Sequence, residues 1–197
     1  MNDIIYRELE ASELVPELFA DFIRRQVVNL CYRHPDATAS DPGKAAGWVV
    51  RPDPFVDDWT DDDHTRVAAE LLRIANAGGL AYGAFASAEP NAGRLVGFIS
   101  VEPEIFGERR YMDLSHLHVS EDMRGRGIGG KLLEYAKLWA AKQGALRLYI
   151  SAHSALESQN FYRRRGCVDA VEPQDEHIAD EPFDCQLECD CIYAVSR

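Results

Sequence analysis

The run Arg124-Gly125-Arg126-Gly127-Ile128-Gly129-Gly130 constrains this chain more than any other segment. Before it stands Leu114-Ser115-His116-Leu117-His118-Val119, with strand composition. After it Lys131 to Ala140 has the apolar spacing of a helix. Glycine is costly inside either element, so the chain turns here, between a strand and a helix. Without Cβ atoms the turn can aim its backbone N–H groups at a ligand. The new helix adds unpaired N–H groups and the positive end of its dipole. A strand, a glycine turn and a helix in that order make an anion site, suited to a phosphate group.

Two common phosphate motifs do not fit. The residue after the last glycine is Lys131, followed by Leu132, so the P-loop's magnesium-binding hydroxyl is missing. Gly125, Gly127 and Gly130 formally match the dinucleotide pattern G-x-G-x-x-G. The acidic ribose partner is absent, because the next strand-like run, Leu146 to Ile150, ends in Ser151-Ala152-His153. The motif also lies past the middle of the chain rather than in a first βαβ unit, which disfavours a nucleotide-dependent oxidoreductase.

At 197 residues the chain reads as a single domain, 1–197, with a full core. A net charge of −12 and the lack of a basic stripe argue against nucleic acid as a partner. The same charge would draw cationic molecules, although it serves solubility equally well. No run reaches the roughly 18 apolar residues of a membrane span, and the start has no signal-peptide layout. Five cysteines, an odd number, suit a reducing compartment, so the expected location is cytoplasmic.

Periodicity and turn signals give the expected elements. A strand covers Ile4 to Leu9. A helix covers Glu13 to Leu30, with Ser12 as N-cap and Pro16 in its first turn. His34 to Asp63 is a long connection rich in Pro, Asp and Gly, in which Trp48, Phe55, Val56 and Trp59 suggest packing. A helix covers Asp62 to Asn76. Strands cover Leu80 to Ala86 and Leu95 to Val101, joined by a turn over Glu89 to Gly93. One strand runs from Tyr111 to Val119, then the glycine turn and a helix to Gln143. A strand over Leu146 to Ile150, a helix over Ala155 to Arg165, and strands over Cys167 to Val171 and Phe183 to Val195 complete the chain.

Arg124-x-x-Gly127-x-Gly129 behind the strand end Leu117-His118-Val119 resembles the coenzyme-binding motif of the GNAT superfamily of acyl-CoA-dependent N-acetyltransferases. Phe161-Tyr162-Arg163-Arg164-Arg165-Gly166-Cys167 resembles that family's Phe-Tyr-x-x-x-Gly-Phe segment, in the right order and at a family-like separation. The two pieces span a coenzyme-binding core at about 111–168, and the order of elements agrees with the family's. The resemblance implies an α+β (α/β three-layer) GNAT fold, a mixed twisted sheet of about seven strands flanked by about four helices. It implies transfer of an acetyl group from acetyl-CoA to a primary amine of a small, cationic acceptor by direct attack, with no metal. The alternative is a catalytically silent acyl-CoA-binding module, serving as a sensor or partner-binding subunit. The partners implied are a small-molecule amine acceptor and, as an open option, a second copy in a homodimer. No nucleic acid or membrane is expected.

The resemblance also assigns residues. Coenzyme contacts fall on Leu117, His118, Val119, Arg124, Gly125, Arg126, Gly127, Ile128, Gly129 and Gly130. Tyr162, a donor with an ordinary pKa of ~10, would protonate the leaving thiolate; its plain alternative is a packing aromatic beside Phe161. For the base, Asp113 holds the family's carboxylate place, six residues before Val119. His116 needs the least tuning, and Glu102 is a third candidate. The family often has an asparagine six residues before the Phe. Here Ala155 stands there, and neighbouring Ser154 is the candidate substitute.

Cys185, Cys189, Cys191 and His177 could be zinc ligands, but no Cys-x-x-Cys turn accompanies them, and buried reduced thiols are expected instead. The acidic set Asp57, Asp58, Asp61, Asp62 and Asp63 could hold a polycation; for Asp61 to Asp63 a helix N-terminus is the preferred reading. The resemblance implies that the long loop and Pro173 to Pro182 wall the acceptor site.

Overall fold

The computed structural model describes residues 4–33, 48–88 and 92–191. The expected connection over 34–47, the turn at Glu89 to Asn91 and the end of the last strand lie wholly or partly outside the described residues. Within them the chain is a mixed α/β fold of ten strands and four α-helices. The expected seven strands undercount it.

The core is built on two central strands, β4 (Leu80–Ala86) and β5 (Leu95–Val101), in which every residue is buried. Both faces of a central strand are covered, so both read as continuous apolar runs. They pair antiparallel with each other, β1 (Ile4–Glu8) flanks β4, and β7 (His116–Val119) flanks β5. A second sheet runs β6 (Tyr111–Asp113), β8 (Arg147–Ala152), β10 (Cys185–Asp190) and β9 (Val168–Asp169), with β6 and β8 parallel.

α1 (Asp61–Asn76) starts at Thr60, whose hydroxyl accepts from the Asp63 N–H while the Asp63 carboxylate accepts from the Thr60 N–H. Asp61, Asp62 and Asp63 thus occupy its first turn, where the dipole favours them. Val67, Ala68, Leu71 and Ile74 form its buried face. Leu71 is fully enclosed, so truncation to Ala would cost about 2–5 kcal/mol. α2 (Ile128–Gln143) packs its opposite, apolar stripe on β4, β5 and β7 and ends at Gly144 with φ 93°. α3 (Leu156–Arg163) and a short α4 (Asp175–Asp180) complete the helices.

The helix expected over Glu13 to Leu30 does not form. Ala11–Glu13 and Pro16–Phe19 are short 3-10 turns, and β2 (Arg25–Arg33) follows, paired antiparallel with β3 (Val49–Asp58). Val27 and Val28 are β-branched, and Val28 and Cys31 bury against Ala155 and Phe55. The partner strand that makes this segment extended lies in the stretch read as a loop. Tyr111 to Val119 is likewise not one strand. Leu114 N–H donates to Tyr149 O at 2.9 Å, the last bond toward β8, and Ser115 N–H donates to Ser100 O at 3.2 Å on β5. The chain changes sheets between these residues, and β7 is bonded to β5 alone. The helix expected over Ala155 to Arg165 is shorter, and α4 forms inside the loop expected over Pro173 to Pro182.

Candidate active site

A cleft of about 1200 Å³ opens where β7 parts from β8. Ser120 N–H donates to Val96 O at 3.0 Å, so even-numbered residues of β7 turn their backbone toward β5. The N–H and C=O of Leu117 therefore point the other way, into the gap. Val119 O accepts Arg124 Nε at 3.2 Å. One end of the cleft is the glycine turn, and the walls include His116, Leu117, His118, Val119, Phe161 and Tyr162.

At the turn, Gly125 and Gly127 have φ 76° and 80°, in the left-handed region that only glycine enters freely. A Cβ on either would meet nothing within 4 Å, so the backbone there faces open space. α2 begins at Ile128, and the first helical bond is Lys131 N–H to Gly127 O at 3.2 Å. The N–H groups of Ile128, Gly129 and Gly130 are left for a ligand. Gly130 serves a second purpose: a Cβ would sit 2.8 Å from Arg165 Nη2. Arg165, one of the basic residues clustered with Arg163 and Arg164 in the sequence, lies 3.9 Å over the Phe161 ring and lines the cleft. Desolvation and then the Arg24 charge lower the pKa of Arg124, so cations crowd this end, the condition for holding a polyanion. Arg126 is exposed and does not line the cleft.

Tyr162 is buried in the cleft wall, with its ring 5.1 Å from Phe161 in an edge-on contact. Burial, then the nearby Cys167, Cys189 and Asp184, raise its pKa far above the ordinary phenol value. It keeps its proton until a strong base takes it. His116 lines the cleft with both ring nitrogens engaged: Nδ1 with Ser100 Oγ at 2.8 Å and Nε2 with Glu70 Oε2 at 2.9 Å. Glu70 is held below the usual carboxylate range by that bond. Asp113 does not line the cleft; its Oδ2 pairs with His177 Nε2 at 3.3 Å. Glu102 is bonded to Arg73. Ser154 lies in a smaller adjoining cavity, and its hydroxyl accepts from Arg33 Nη1 at 2.5 Å.

Two carboxyls that sequence reasoning missed stand at the cleft, Glu181 and Asp184. Burial, then the charge and hydrogen bond of Glu181, push Asp184 up to about 8. Out of water and beside a like charge, the Asp184 carboxyl holds its proton more tightly than an exposed one. No sequence pattern marks them, because α4 folds them toward a cleft made by distant strands. Asp57 is engaged by Arg24 at 2.6 Å and Asp58 by Arg25 at 3.8 Å. All five cysteines are buried and unbridged, and among the described residues no group of three side chains could hold a metal. Among them, too, no helix is long and apolar enough to cross a membrane.

A model of the acetyltransferase (GNAT) family matches residues 39–167. No curated protein matches the chain. Nourseothricin acetyltransferase is similar in structure, with TM-score 0.64 and 18% identity over 97% of this chain and 100% of that one. A putative streptothricin acetyltransferase from Bacillus anthracis str. Ames, in complex with acetyl coenzyme A, gives 0.62 and 17% over 94% and 96%. PaiA N-acetyltransferase from Thermoplasma acidophilum, in complex with coenzyme A, gives 0.55 and 16% over 95% and 98%. At these identities the likeness is one of fold.

Proposed function

The chain belongs to the acetyltransferase (GNAT) family, and on that premise we propose that it transfers an acetyl group from acetyl-CoA to the primary amine of a small cationic acceptor. The observation that carries this reading is the single cleft that joins the glycine turn to Tyr162 and to an acidic mouth. The turn fits the coenzyme's pyrophosphate: its backbone faces open space and Arg124 stands beside it. Leu117 offers the thioester arm a backbone donor and acceptor in the gap, as an added strand would. The structures solved with acetyl coenzyme A and coenzyme A support that occupant.

The acceptor's positive charge is favoured by Glu157 and Glu181 in the cleft wall. The two similar structures named for nourseothricin and streptothricin support a small-molecule acceptor over a protein. In the reaction the ammonium gives a proton to a base, and the freed lone pair attacks the thioester carbon. The C–S bond then breaks with its electrons on sulfur. Tyr162 donates its proton to that thiolate, and the second amine proton restores the hydroxyl. Asp184 is the base this arrangement favours, since its value of about 8 suits proton transfer near neutrality. His116 and Asp113 remain candidates, and each must first loosen a present partner, Glu70 or His177.

A thiol-release screen with acetyl-CoA against a panel of amines tests the reading. Release that depends on a small cationic amine is expected. Tight coenzyme binding with no release for any amine would instead leave a coenzyme-binding module without transferase activity.

A further inference from the structure

His118 sits on β7 beside the glycine turn, yet its side chain faces away from the coenzyme helix. It lies among Trp59, at 4.7 Å between ring centres, and Phe98, at 5.3 Å. Arg24 Nε donates to its Nδ1 at 3.1 Å. Arg24 is 9% exposed, and its Nη2 is bound to Asp57 at 2.6 Å. Its backbone is pinned on both sides. Ile23 N–H donates to Ser120 Oγ at 3.1 Å, and Arg24 O accepts Trp59 N–H at 3.0 Å. Asp57, Arg24 and His118 thus form one fixed chain: carboxylate, guanidinium, imidazole.

The chemistry of that chain sets the tautomer. A guanidinium Nε can only donate, so His118 Nδ1 must present its lone pair. The neutral ring then carries its proton on Nε2. No described residue accepts that Nε2–H, and His118 lines the cleft. The groups that bear on the ring are Arg24 in contact, His116 at 6.1 Å between ring centres, and Arg124 and Arg66 farther off. None is an acid, and Asp57 is screened behind Arg24. Burial and these cations hold the imidazole well below its ordinary value, so it stays neutral. A neutral histidine with its lone pair occupied is a hydrogen-bond donor, not a base.

We propose that His118 Nε2–H, locked by Arg24, is a specificity donor for an uncharged oxygen, carbonyl or hydroxyl, carried by the same acceptor that brings the amine. The proposal rests on the transferase reading for its word acceptor. The oxygen is uncharged because Asp57 already neutralises Arg24, and because Glu157 and Glu181 line the same cleft and repel a carboxylate. Trp59 supplies the flat apolar wall against which such a group would lie. His118 would touch the acceptor, and Arg24 is the positioning residue.

The test uses amino amides and amino alcohols of increasing length, each matched with an alkylamine of the same length. Two quantities are read: thiol release from acetyl-CoA, and equilibrium binding to the protein loaded with coenzyme A. The oxygen-bearing member of at least one pair should be preferred about 2- to 10-fold, the range of one hydrogen bond between uncharged groups. His118→Phe should bring that ratio near one, and His118→Gln, which keeps a donor, should restore much of it. Nitrogen NMR of the imidazole should show a lone-pair Nδ1 and a protonated Nε2, and Arg24→Gln should release that preference. No preference in any pair, a preference that survives His118→Phe, or the opposite tautomer overturns the proposal. Thiol release without discrimination overturns the donor and leaves the transferase standing. Discrimination in binding without thiol release from any amine does the reverse.

Discussion

Asp113 Oδ2 stands 3.3 Å from His177 Nε2, so the carboxylate on β6 fastens the short helix α4 to the second sheet. The bond to Asp113 raises the His177 pKa above its ordinary 6.5. A raised histidine stabilises the fold fully below its unfolded value, and the contribution fades as pH climbs through the folded value. His177 is about one-third exposed, so solvent screening limits the pair to about 1 kcal/mol at most. Denaturant midpoints should therefore separate wild type from His177→Gln at pH 6 and converge by pH 9. Equal separation at both values would mean that the histidine acts by packing rather than by charge.

Gly127→Asp should abolish acetyl-CoA binding in calorimetry. The substitution forces a side chain into a backbone at φ 80° and sets a negative charge where the pyrophosphate would lie. Gly93→Asp imposes a similar strain, at φ 86°, at a turn outside the cleft. It should cost stability and leave coenzyme affinity alone. Equal losses of affinity in the two variants would refute the phosphate assignment.

Arg124→Ala should weaken acetyl-CoA binding by about 1–3 kcal/mol, the scale of a charge-assisted hydrogen bond. Arg126 is exposed and outside the cleft wall, so its alanine variant should lose less. The order of the two dissociation constants checks this, and a larger loss at Arg126 reverses the assignment.

Tyr162→Phe keeps the ring that meets Phe161 and removes only the donor. Turnover should fall by roughly 10²- to 10⁴-fold, the range of a general acid. Coenzyme affinity should hardly move. Full turnover in this variant would pass the proton delivery to water.

Asp184→Asn carries two readouts. If Asp184 is the base, the rising limb of the pH–rate profile near 8 should vanish with it, and should persist in His116→Ala and Asp113→Asn. The sign for stability is separate. A carboxyl raised from 3.8 to about 8 binds its proton more tightly folded than unfolded, so its ionisation penalises the fold at high pH. Replacement by Asn should therefore raise the unfolding midpoint more at pH 9 than at pH 5. An equal gain at both values would show that the carboxyl is not held protonated.

The glycine turn and the helix after it were legible because their signals are local: φ-permissive residues, then apolar spacing. β4 and β5 were legible for the same reason, as short apolar runs between turn residues. Arg25 to Arg33 was not, because what makes Val28 and Cys31 extended is a partner strand, β3, some twenty residues downstream, roughly the separation at which local pattern fails. The site divides in the same way. Of the residues proposed for the site, Tyr162 and the glycine turn are marked by motif. Glu70 and Arg24 reach His116 and His118 on β7, and Asp184 reaches the cleft, from segments that meet only in three dimensions, and no spacing along the chain marks them.

The parting of β7 from β8 leaves an unfinished hydrogen-bond ladder in the middle of the molecule. Beyond Leu114 no backbone bond among the described residues joins the two sheets across the gap, so the N–H and C=O at Leu117 are open to a guest. An elongated guest with amide groups, as proposed for the coenzyme's arm, would complete the ladder and become, for the time it is bound, a strand of the protein. Ligand occupancy and the cohesion of the two halves are then one thermodynamic quantity. Amide protons on both sides of the gap, far from any atom of the guest, should exchange more slowly once it is in place.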